Sequence, residues 1–519
     1  MKHPYKRSLT LVLFSFVFFV FPSTILAQNP NNPLAYGNQA LLFGSHQGQS
    51  GFGFDATTQV AYGVGLGAFL ENPASLAFAD GSSIQIGLRV TGANEDATYL
   101  GNSEKFEDQQ SSLGNVGFIY KYPTRVGSFV IGAAYHQLAN YQRAVSYSGQ
   151  NTENTLTDQF KLPGSTYSDL AFNTYVTDVG DEFGDWDESI FRSGFDTYGE
   201  FLGVFQQGED LQSGHNGEYS IFVATEFRKN LMIGASLGVL SGSYSFDRIL
   251  QELDDQNLYN GIYIDSDGDE LADTDIDNFI FTEKTESDFN GLRGRIGMLY
   301  QPLQQLRIGF SYTLPTRIEV EERFDGRIFS TFDNGVNFDD SIRGQFQYAL
   351  TYPGRVSAGL SYSFGNNWTV ALSADRVNYS ELEIDFQDET LFDLQQSENT
   401  FITQNFAEGA MGYRVGVIYQ KADEITIHAG YGMQQSALQT GEDSKHLFSI
   451  GTSLPMGGPW QLDLGLQYSI FDQQSVLYTY GEFDYSTLPQ FTPGATIRAQ
   501  EIERSTSLVQ LRTTIRFVL

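Results

Sequence analysis

The sequence has no cysteine among its 519 residues, which excludes disulfides and thiolate metal sites. Positive charge is also scarce, with 30 Lys and Arg against 63 Asp and Glu, for a formal net charge of −33. Recognition of nucleic acid needs clustered positive charge, so we expect no nucleic-acid partner. After residue 27 no apolar run approaches the roughly 20 residues of a membrane-spanning helix, and the mean hydropathy is only −0.26.

The first 27 residues have the organisation of an export signal. Three cations, the last of them Arg7, precede an apolar run at residues 9–21. This run is too short to span a bilayer and is typical of a signal-peptide core. The small residue Ala27 predicts cleavage after it, and an uncleaved anchor is the alternative. Removing residues 1–27 takes three of the 30 cations, so the exported chain has 27 Lys and Arg against 63 acids, a net charge of −36.

Polar and apolar residues alternate along most of the exported chain. From Trp460 to Ile470 every second residue is apolar, and Gln, Asp, Gly or Ser stands between. Successive side chains of a strand point to opposite faces, so one face suits lipid and the other a wet lumen. A soluble sandwich alternates too, but here aromatic residues stand at strand ends, as at membrane interfaces. The alternation recurs at residues 116–120, 219–223, 231–239, 306–312, 356–364, 413–419, 425–431 and 509–517.

The spacing of the turns predicts an all-β fold, a transmembrane antiparallel β-barrel of about 14 strands over residues 83–519. Six short turns and seven long polar loops make thirteen connections; twelve or sixteen strands are the alternatives. An even number leaves both barrel ends in the periplasm, with the long acidic loops 148–217 and 247–288 outside. The short turns are 122–125, 228–230, 302–305, 365–367, 421–424 and 455–459, and the other long loops are 92–113, 327–341, 387–409, 437–445 and 476–505.

Residues 28–82 do not alternate and are rich in Gly, Asn and Gln. The glycines at positions 63, 65 and 67 lack the strand–turn–helix frame of a dinucleotide-binding loop. A segment of this length is enough to plug a fourteen-stranded lumen. We therefore predict a small N-terminal hatch, or plug, inside the barrel.

These features resemble the FadL/TodX (OmpP1) family of outer-membrane transporters. A Gly-rich N-terminal segment leads into the barrel, and its Asn72-Pro73-Ala74 tripeptide stands where that family has its hatch motif. Leu519, the last residue, departs from the aromatic residue usual there. Further similar stretches are residues 350–356 followed by Trp368, residues 413–416 with residues 430–432, and residues 115–149, which resemble the Bacteroidetes-type branch.

The resemblance implies passive transport of long-chain fatty acids or other hydrophobic small molecules across the outer membrane of a Gram-negative bacterium. In the family, extracellular loops catch the ligand, a lumen site holds it, hatch movement frees it, and it leaves sideways through the barrel wall. We expect a monomer that contacts outer-membrane lipid and is not an enzyme, because no Ser/His or Asp/His arrangement is visible. A general porin without a hatch, and a type IX secretion barrel that shuttles cargo proteins to the cell surface, are the alternatives.

The two acidic loops carry further candidates for binding. Residues 181–211 contain an apolar stripe with helical spacing, which is either the packing face of an amphipathic helix or a ligand-contacting surface. The stripe consists of Phe191, Phe195, Tyr198, Leu202 and Phe205. In the second loop, carboxylates occupy positions 1, 3, 5 and 9 of a calcium loop. Apart from Ca²⁺ here we expect no cofactor, and a solvated acidic surface is the alternative. The predicted calcium ligands are Asp265, Asp267, Asp269 and Asp273.

Strand parity places a set of arginines in the lumen. If Leu88 faces lipid, Arg89 faces inward, and an Arg on the lipid face would cost roughly 2–4 kcal/mol near the midplane. The set is predicted either to attract the carboxylate of an amphipathic substrate or to pair with the hatch acids Asp55, Glu71 and Asp80. Its members are Arg89, Arg293, Arg295, Arg355, Arg414 and Arg512, and the inward acids by the same count are Glu226, Asp375 and Asp463.

Overall fold

A computed structural model describes residues 34–44, 60–63, 65–160, 166–179, 187–191, 201–260, 274–365, 367–421, 425–478 and 500–519. Within these residues fourteen antiparallel strands form a barrel, and the pairing of Ile84 with Phe517 joins the first strand to the last. The sheet is therefore closed, and the predicted fold class is confirmed. The signal peptide predicted for residues 1–27 lies outside the described residues.

The strands follow one another around the barrel in chain order, and three of them are interrupted once. The uninterrupted strands are β1 (Ser83–Tyr99), β2 (Asn102–Tyr122), β4 (Val204–Arg228), β5 (Leu231–Leu253), β6 (Ile276–Leu303), β9 (Trp368–Val377), β10 (Ala410–Lys421), β11 (Ile425–Gln434), β12 (Lys445–Gly457), β13 (Trp460–Val476) and β14 (Glu501–Val518). The interrupted strands are β3 (Phe129–Asn140 and Arg143–Asn151), β7 (Leu306–Thr313 and Thr316–Phe332) and β8 (Asn337–Tyr352 and Arg355–Phe364).

The remaining elements lie in the lumen or in the connections between strands. None of the helices in the described part of the chain is long and apolar enough to cross a membrane. The helices are α1 (Tyr36–Gly44), α2 (Thr157–Phe160), α3 (Ser168–Asn173) and α4 (Phe392–Asn405), with 3₁₀ turns at Leu66–Leu70, Pro73–Phe78, Tyr379–Glu381 and Glu389–Leu391. Short strands Thr177–Val179 and Asp187–Ser189 pair with each other, and Glu383–Asp385 pairs with β8.

The burial pattern along β1 shows which face meets lipid. Ile84, Ile86 and Leu88 are 51%, 51% and 62% exposed, whereas Gln85 and Arg89 are only 1% and 2% exposed. A soluble sandwich would bury the apolar residues and expose the polar ones. The inverted pattern fits a sheet whose outer face contacts hydrocarbon and whose inner face is polar.

Several strands extend far beyond the 9–11 residues that cross a bilayer. β4, β5 and β6 contain 25, 23 and 28 residues. The predicted loops 92–113, 148–217, 247–288 and 327–341 are therefore partly strand. In place of loop 92–113, β1 and β2 form a hairpin whose two-residue turn, Leu100-Gly101, has φ of 48° and 83°, as a type I′ turn requires. Above the membrane the outer face of a strand meets water instead of lipid, so the lipid-facing alternation does not mark these extensions.

The apolar stripe predicted as a helix belongs to an extracellular core instead. Phe205 lies in β4, opposite Leu253 of β5, and Leu202 lies outside any helix two residues before that strand begins, so the helix prediction is wrong there. Phe191 is fully buried, with its ring 5.2 Å from that of Tyr259 and 5.9 Å from that of Phe279. Pairing between β4 and β5 therefore decides the conformation at Phe205, although the apolar residues have helical spacing. The other two members of the stripe, at positions 195 and 198, lie outside the described residues.

A charge on the lipid face of β6 tests the orientation of the strands. Ile296 is 55% exposed and lies in the middle of the outward-facing apolar residues of β6. Ile296→Arg would place a charge in lipid and should lower barrel stability by roughly 2–4 kcal/mol. Asn290→Arg, on the same face but above the membrane, is the matched control. We expect less heat-modifiable barrel and an earlier urea transition for the first variant alone. Equal effects of the two variants would contradict the assignment.

Candidate functional site

The hatch motif is fixed to the barrel wall through one buried side chain. Asn72 precedes the 3₁₀ turn Pro73–Phe78, and its Oδ1 accepts a hydrogen bond from the Ala74 backbone N–H at 3.0 Å. Its Nδ2 donates to the carbonyls of Val60, at 2.7 Å, and Met298, at 3.2 Å. The side chain thus starts the turn, holds a second hatch segment and attaches both to β6. Pro73 suits the first position of the turn because it needs no N–H partner there.

Two glycines of the wall allow the hatch to approach this closely. A Cβ built at Gly297 of β6 would lie 2.0 Å from Oδ1 of Asn72. One built at Gly234 of β5 would lie 2.5 Å from the Pro73 carbonyl carbon. Any larger residue at these two positions would displace the motif.

A buried carboxylate next to the motif binds two of the predicted arginines. Glu71 is 2% exposed, and its Oε2 lies 3.3 Å from Arg355 and 3.3 Å from Arg414. Arg414 also reaches Asp375 of β9 at 3.2 Å. Ser311 donates its hydroxyl to the Glu71 carbonyl at 2.5 Å. In addition to the contacts of Asn72, the hatch is therefore attached to β8 and β10 by charge and to β7 by a neutral hydrogen bond.

A second acid, Glu218 of β4, holds two further arginines, both on β6. Arg295 binds the Glu218 carboxylate with two contacts, at 2.6 and 2.8 Å, and Arg293 lies 3.8 Å from the same group. Arg293 also donates to the carbonyl of Gly44, the last residue of α1, at 2.5 Å. Cations at a helix C-terminus are favoured by the helix dipole. Glu218 is not among the predicted inward acids, although the outward position of Tyr219 assigns it to the lumen by the same parity.

All six predicted arginines face the lumen. They have more hydrogen-bond and ion-pair partners than the three predicted inward acids alone would supply. Arg89 donates to the Gln137 carbonyl at 2.6 Å, and Arg512 to Gln510 Oε1 at 2.9 Å. A cavity of about 40 Å³ lies among the other four. Of the hatch acids, Glu71 pairs with them, Asp80 is exposed, and Asp55 lies outside the described residues. Carboxylate capture at this set stays a prediction.

Helix α1 fills the lumen above the motif. The Phe43 ring stacks on Phe289 of β6 with centroids 4.4 Å apart, and Asn216 donates to the Phe43 carbonyl at 2.7 Å. Helix α4 covers α1 from the extracellular side, where its Glu398 is 2% exposed. Burial raises the pKa of the Glu398 carboxyl to about 8, so this group is mostly protonated at neutral pH and puts little charge against the plug.

Comparisons with known proteins agree with this arrangement of barrel and plug. The sequence profile of the outer membrane protein transport protein family (OMPP1/FadL/TodX) matches residues 223–484, half of the chain. The chain belongs to this family. No curated protein sequence matches it. The FadL/TodX family is one of transport proteins, so membership is consistent with a protein that has no catalytic role.

Two solved structures share the fold. The toluene transporter TodX of P. putida is 12% identical, with a TM-score of 0.50, and the match covers 91% of this chain and 99% of that one. A FadL homologue from Pseudomonas aeruginosa is also 12% identical, with a TM-score of 0.51 and coverage of 90% and 97%. At this identity the likeness shows the fold alone. With the family assignment, it makes the protein a β-barrel of the outer membrane.

The wall of this FadL/TodX barrel is interrupted between β2 and β3. Backbone pairing runs from Tyr122 with Phe129 up to Asn115 with His136, and no further ladder joins these strands among the described residues. From Tyr122 to Asn115 the strand rises about 3.3 Å per residue over seven residues. With a strand tilt of about 40°, the upper end of this ladder lies roughly 18 Å above the turn between β2 and β3. Since the apolar band of such barrels is about 25 Å tall, the interruption begins within the membrane.

Side chains bridge the interruption where the ladder stops. Ser112 of β2 donates to Gln137 Oε1 at 2.5 Å, and Asn140 of β3 contacts Gln110. These bridges supply polar partners beside a gap in the backbone ladder, where unpaired groups would be costly in lipid.

The predicted calcium ligands lie at positions 265, 267, 269 and 273, outside the described residues. Elsewhere, in the part of the chain that the structure describes, no group of three or more His, Cys, Asp or Glu residues could hold a metal ion. Calcium binding by this segment stays a proposal.

Loss of the Asn72 side chain tests its role as the hatch anchor. Asn72→Ala leaves two carbonyls and one N–H without their partner, which costs about 2–4 kcal/mol. We expect the hatch to become sensitive to protease while the heat-modifiable barrel persists, and planar-bilayer conductance to rise. Asn290→Ala, exposed above the membrane on β6, is the control. A hatch as resistant as that of the control would show that Asn72 does not anchor it.

Proposed function

We propose that this protein passively transports long-chain fatty acids or other hydrophobic small molecules across the outer membrane, with a hatch that gates a lateral exit. The contact between the hatch and the wall interruption is the observation that carries the proposal. Phe69 of the hatch packs edge-to-face against His136, with ring centroids 5.4 Å apart. His136 is the last residue of β3 that pairs with β2. Movement of the hatch would therefore change the inner side of the opening.

An exit through the wall suits an apolar solute. The hatch occupies the lumen beneath α1, where Phe69 also stacks on Phe222 of β4 at 4.8 Å. A molecule that leaves between β2 and β3 would enter hydrocarbon directly, without crossing the water-filled periplasmic end. The match to a toluene transporter supports small hydrophobic compounds as the general substrate class, with fatty acids as the class that we test first.

Tying the two strands together tests the lateral exit. Gln110→Cys with Asn140→Cys, joined by a short reducible linker, should slow oleate uptake into cells, and reduction should restore it. Asn94→Cys with Glu107→Cys is the matched control, because these residues are partners in the intact β1–β2 ladder. The chain contains no other cysteine, so labelling is confined to the introduced pairs. Uptake that is equal in both linked variants would rule out this exit.

We further propose that the lumen arginines couple substrate to the hatch. A carboxylate that competes with Glu71 for Arg355 and Arg414 would release the residue directly before the motif. A charge-assisted hydrogen bond contributes about 1.5–3 kcal/mol, which is enough to exchange one carboxylate for another. Transport of a neutral compound would instead need another trigger.

Removal of Arg414 tests this coupling. Arg414→Ala and Arg355→Ala should each slow uptake of oleate more than uptake of oleyl alcohol, since the alcohol has no carboxylate to exchange. The measurement is initial uptake rate at matched barrel levels. Equal losses for both compounds, or none for either, would contradict the proposed exchange.

The secretion alternative makes a different prediction. A barrel that shuttles cargo proteins would, when deleted, deplete proteins from the cell surface and leave the uptake of hydrophobic compounds unchanged. Surface proteomics and oleate uptake on the same deletion strain separate the two functions.

A further inference from the structure

A hollow of about 590 Å³ interrupts the lipid-facing side of the barrel wall at β8, β9 and β10. It lies where two small side chains, Ala358 of β8 and Ala374 of β9, are direct partners across the ladder. The neighbours in the same row are large, because Phe310 of β7 pairs with Ala358 and Tyr413 of β10 pairs with Ala374. Side-chain volume is therefore missing between two aromatic residues, and this leaves the hollow.

The lining of the hollow suits an alkyl chain. Its outward-facing side chains include Ile308, Leu360, Tyr413 and Tyr431, which are between 36% and 46% exposed. The Tyr431 hydroxyl lies 2.8 Å from Nδ1 of His446, which holds this aromatic side of the hollow in place. In lipid, a concave surface gains more van der Waals contact with a chain than a flat wall does. One chain of a lipid is therefore favoured here over other sites on the wall.

An arginine stands at the extracellular end of the hollow. Arg376 is two residues beyond Ala374 on β9, so it faces the same side of the sheet, and it is exposed there. It lies eight residues after Trp368, the first residue of β9. At about 3.3 Å per residue and a tilt of about 40°, this puts Arg376 roughly 20 Å above the periplasmic end of the strand. The apolar band is about 25 Å tall, so Arg376 lies in the outer leaflet, near its edge.

The guanidinium of Arg376 rests on the backbone that leads into β10. Its Nη2 donates to the Glu408 carbonyl at 3.3 Å, and a Cβ built at Gly409 would lie 2.8 Å from its Nε. The lack of a side chain at Gly409 thus makes room for the guanidinium at this place. A guanidinium has five N–H donors, and this carbonyl takes one of them.

The neighbouring acids leave this cation able to bind an anion. Asp375 points to the other side of the sheet, where it lies 3.2 Å from Arg414. Glu408 meets Arg376 through its backbone carbonyl, and no ion pair joins their side chains in the described structure. The Glu408 carboxylate is exposed, so water screens its attraction to the arginine.

We propose that the hollow and Arg376 form a binding site on the outside of the barrel for lipopolysaccharide, the phosphorylated and acylated lipid of the outer leaflet. One acyl chain lies in the hollow over Ala358 and Ala374, and a phosphate of the same molecule binds Arg376. Charge and height identify the occupant, because arginine matches phosphate with several donors and this one lies in the outer leaflet. The site faces away from the lumen, so the inference does not depend on the proposed transport function.

Photo-crosslinking in intact cells identifies what occupies the hollow. The photoreactive residue p-benzoyl-phenylalanine replaces Val356, the cross-strand partner of Arg376, or, in a second variant, Val239 of β5. Both valines are exposed on the lipid face. Val356 lies eight residues before Phe364 and Val239 eight residues after Leu231, so the two probes have the same depth. We expect more lipopolysaccharide adduct at Val356 than at Val239.

The excess of adduct at Val356 should depend on one cation. Arg376→Gln should lower the yield to that at Val239, whereas Arg323→Gln, which removes an exposed cation above the membrane, should leave it unchanged. Equal lipopolysaccharide adducts at both positions would mean that ordinary surrounding lipid is being labelled, and would overturn the site. Adducts formed mainly with phospholipid, or with a second copy of the chain, would overturn it as well.

The affinity of the purified protein is the second measurement. In native mass spectrometry of the full chain, lipid A, the phosphorylated and acylated anchor of lipopolysaccharide, should bind Arg376→Gln at least about tenfold more weakly, a difference of about 1.4 kcal/mol. Ala374→Leu fills the hollow and should also weaken binding. Ala235→Leu, between Val223 and Ile296 on the lipid face, is the matched control and should not. Unchanged affinity of either Arg376→Gln or Ala374→Leu would contradict the proposal, and heat modifiability verifies that each variant is folded.

Discussion

A closed ladder of backbone hydrogen bonds is the constraint on which the structure depends, because hydrocarbon offers no partner to a free N–H or carbonyl group. The pairing of β1 with β14 meets that constraint around the circumference. Where the ladder between β2 and β3 ends at Asn115, polar side chains take over. Hatch, lipid and lumen come together at this interruption, and this gives the opening its functional interest.

Inside the barrel, the arrangement of charge is as specific as the packing. Glu71 and Glu218 each hold two arginines, so a lumen rich in cations is largely neutralised around the plug. Buried pairs of this kind contribute little net stability but are costly to break, because one charge is left alone. They define where the hatch sits and allow a substrate carboxylate to compete for the same partners.

The hatch is held by shape as much as by charge. Asn72 reaches the β6 carbonyl of Met298 only because Gly297 leaves room beside it. The motif is therefore half of a contact whose other half lies more than 200 residues later in the chain. This explains how the barrel can contain a plug that is closely fitted yet built from short turns.

The period-two alternation by itself determined the barrel and the inward direction of the six arginines, since lipid and lumen impose opposite chemistries on successive residues. The spacing of the turns added the number of strands and the short periplasmic turns. The alternation did not reveal the extracellular strand extensions, because their outer faces meet water instead of lipid. The helical spacing of the stripe around Phe205 was misleading, because such spacing is local whereas strand pairing is not. Only the tertiary structure decided which acids meet which arginines, and that Ala358 and Ala374 lie side by side below Arg376 on the outer wall. These contacts depend on where the hatch sits and on the register of the strands, neither of which leaves a local mark in the sequence.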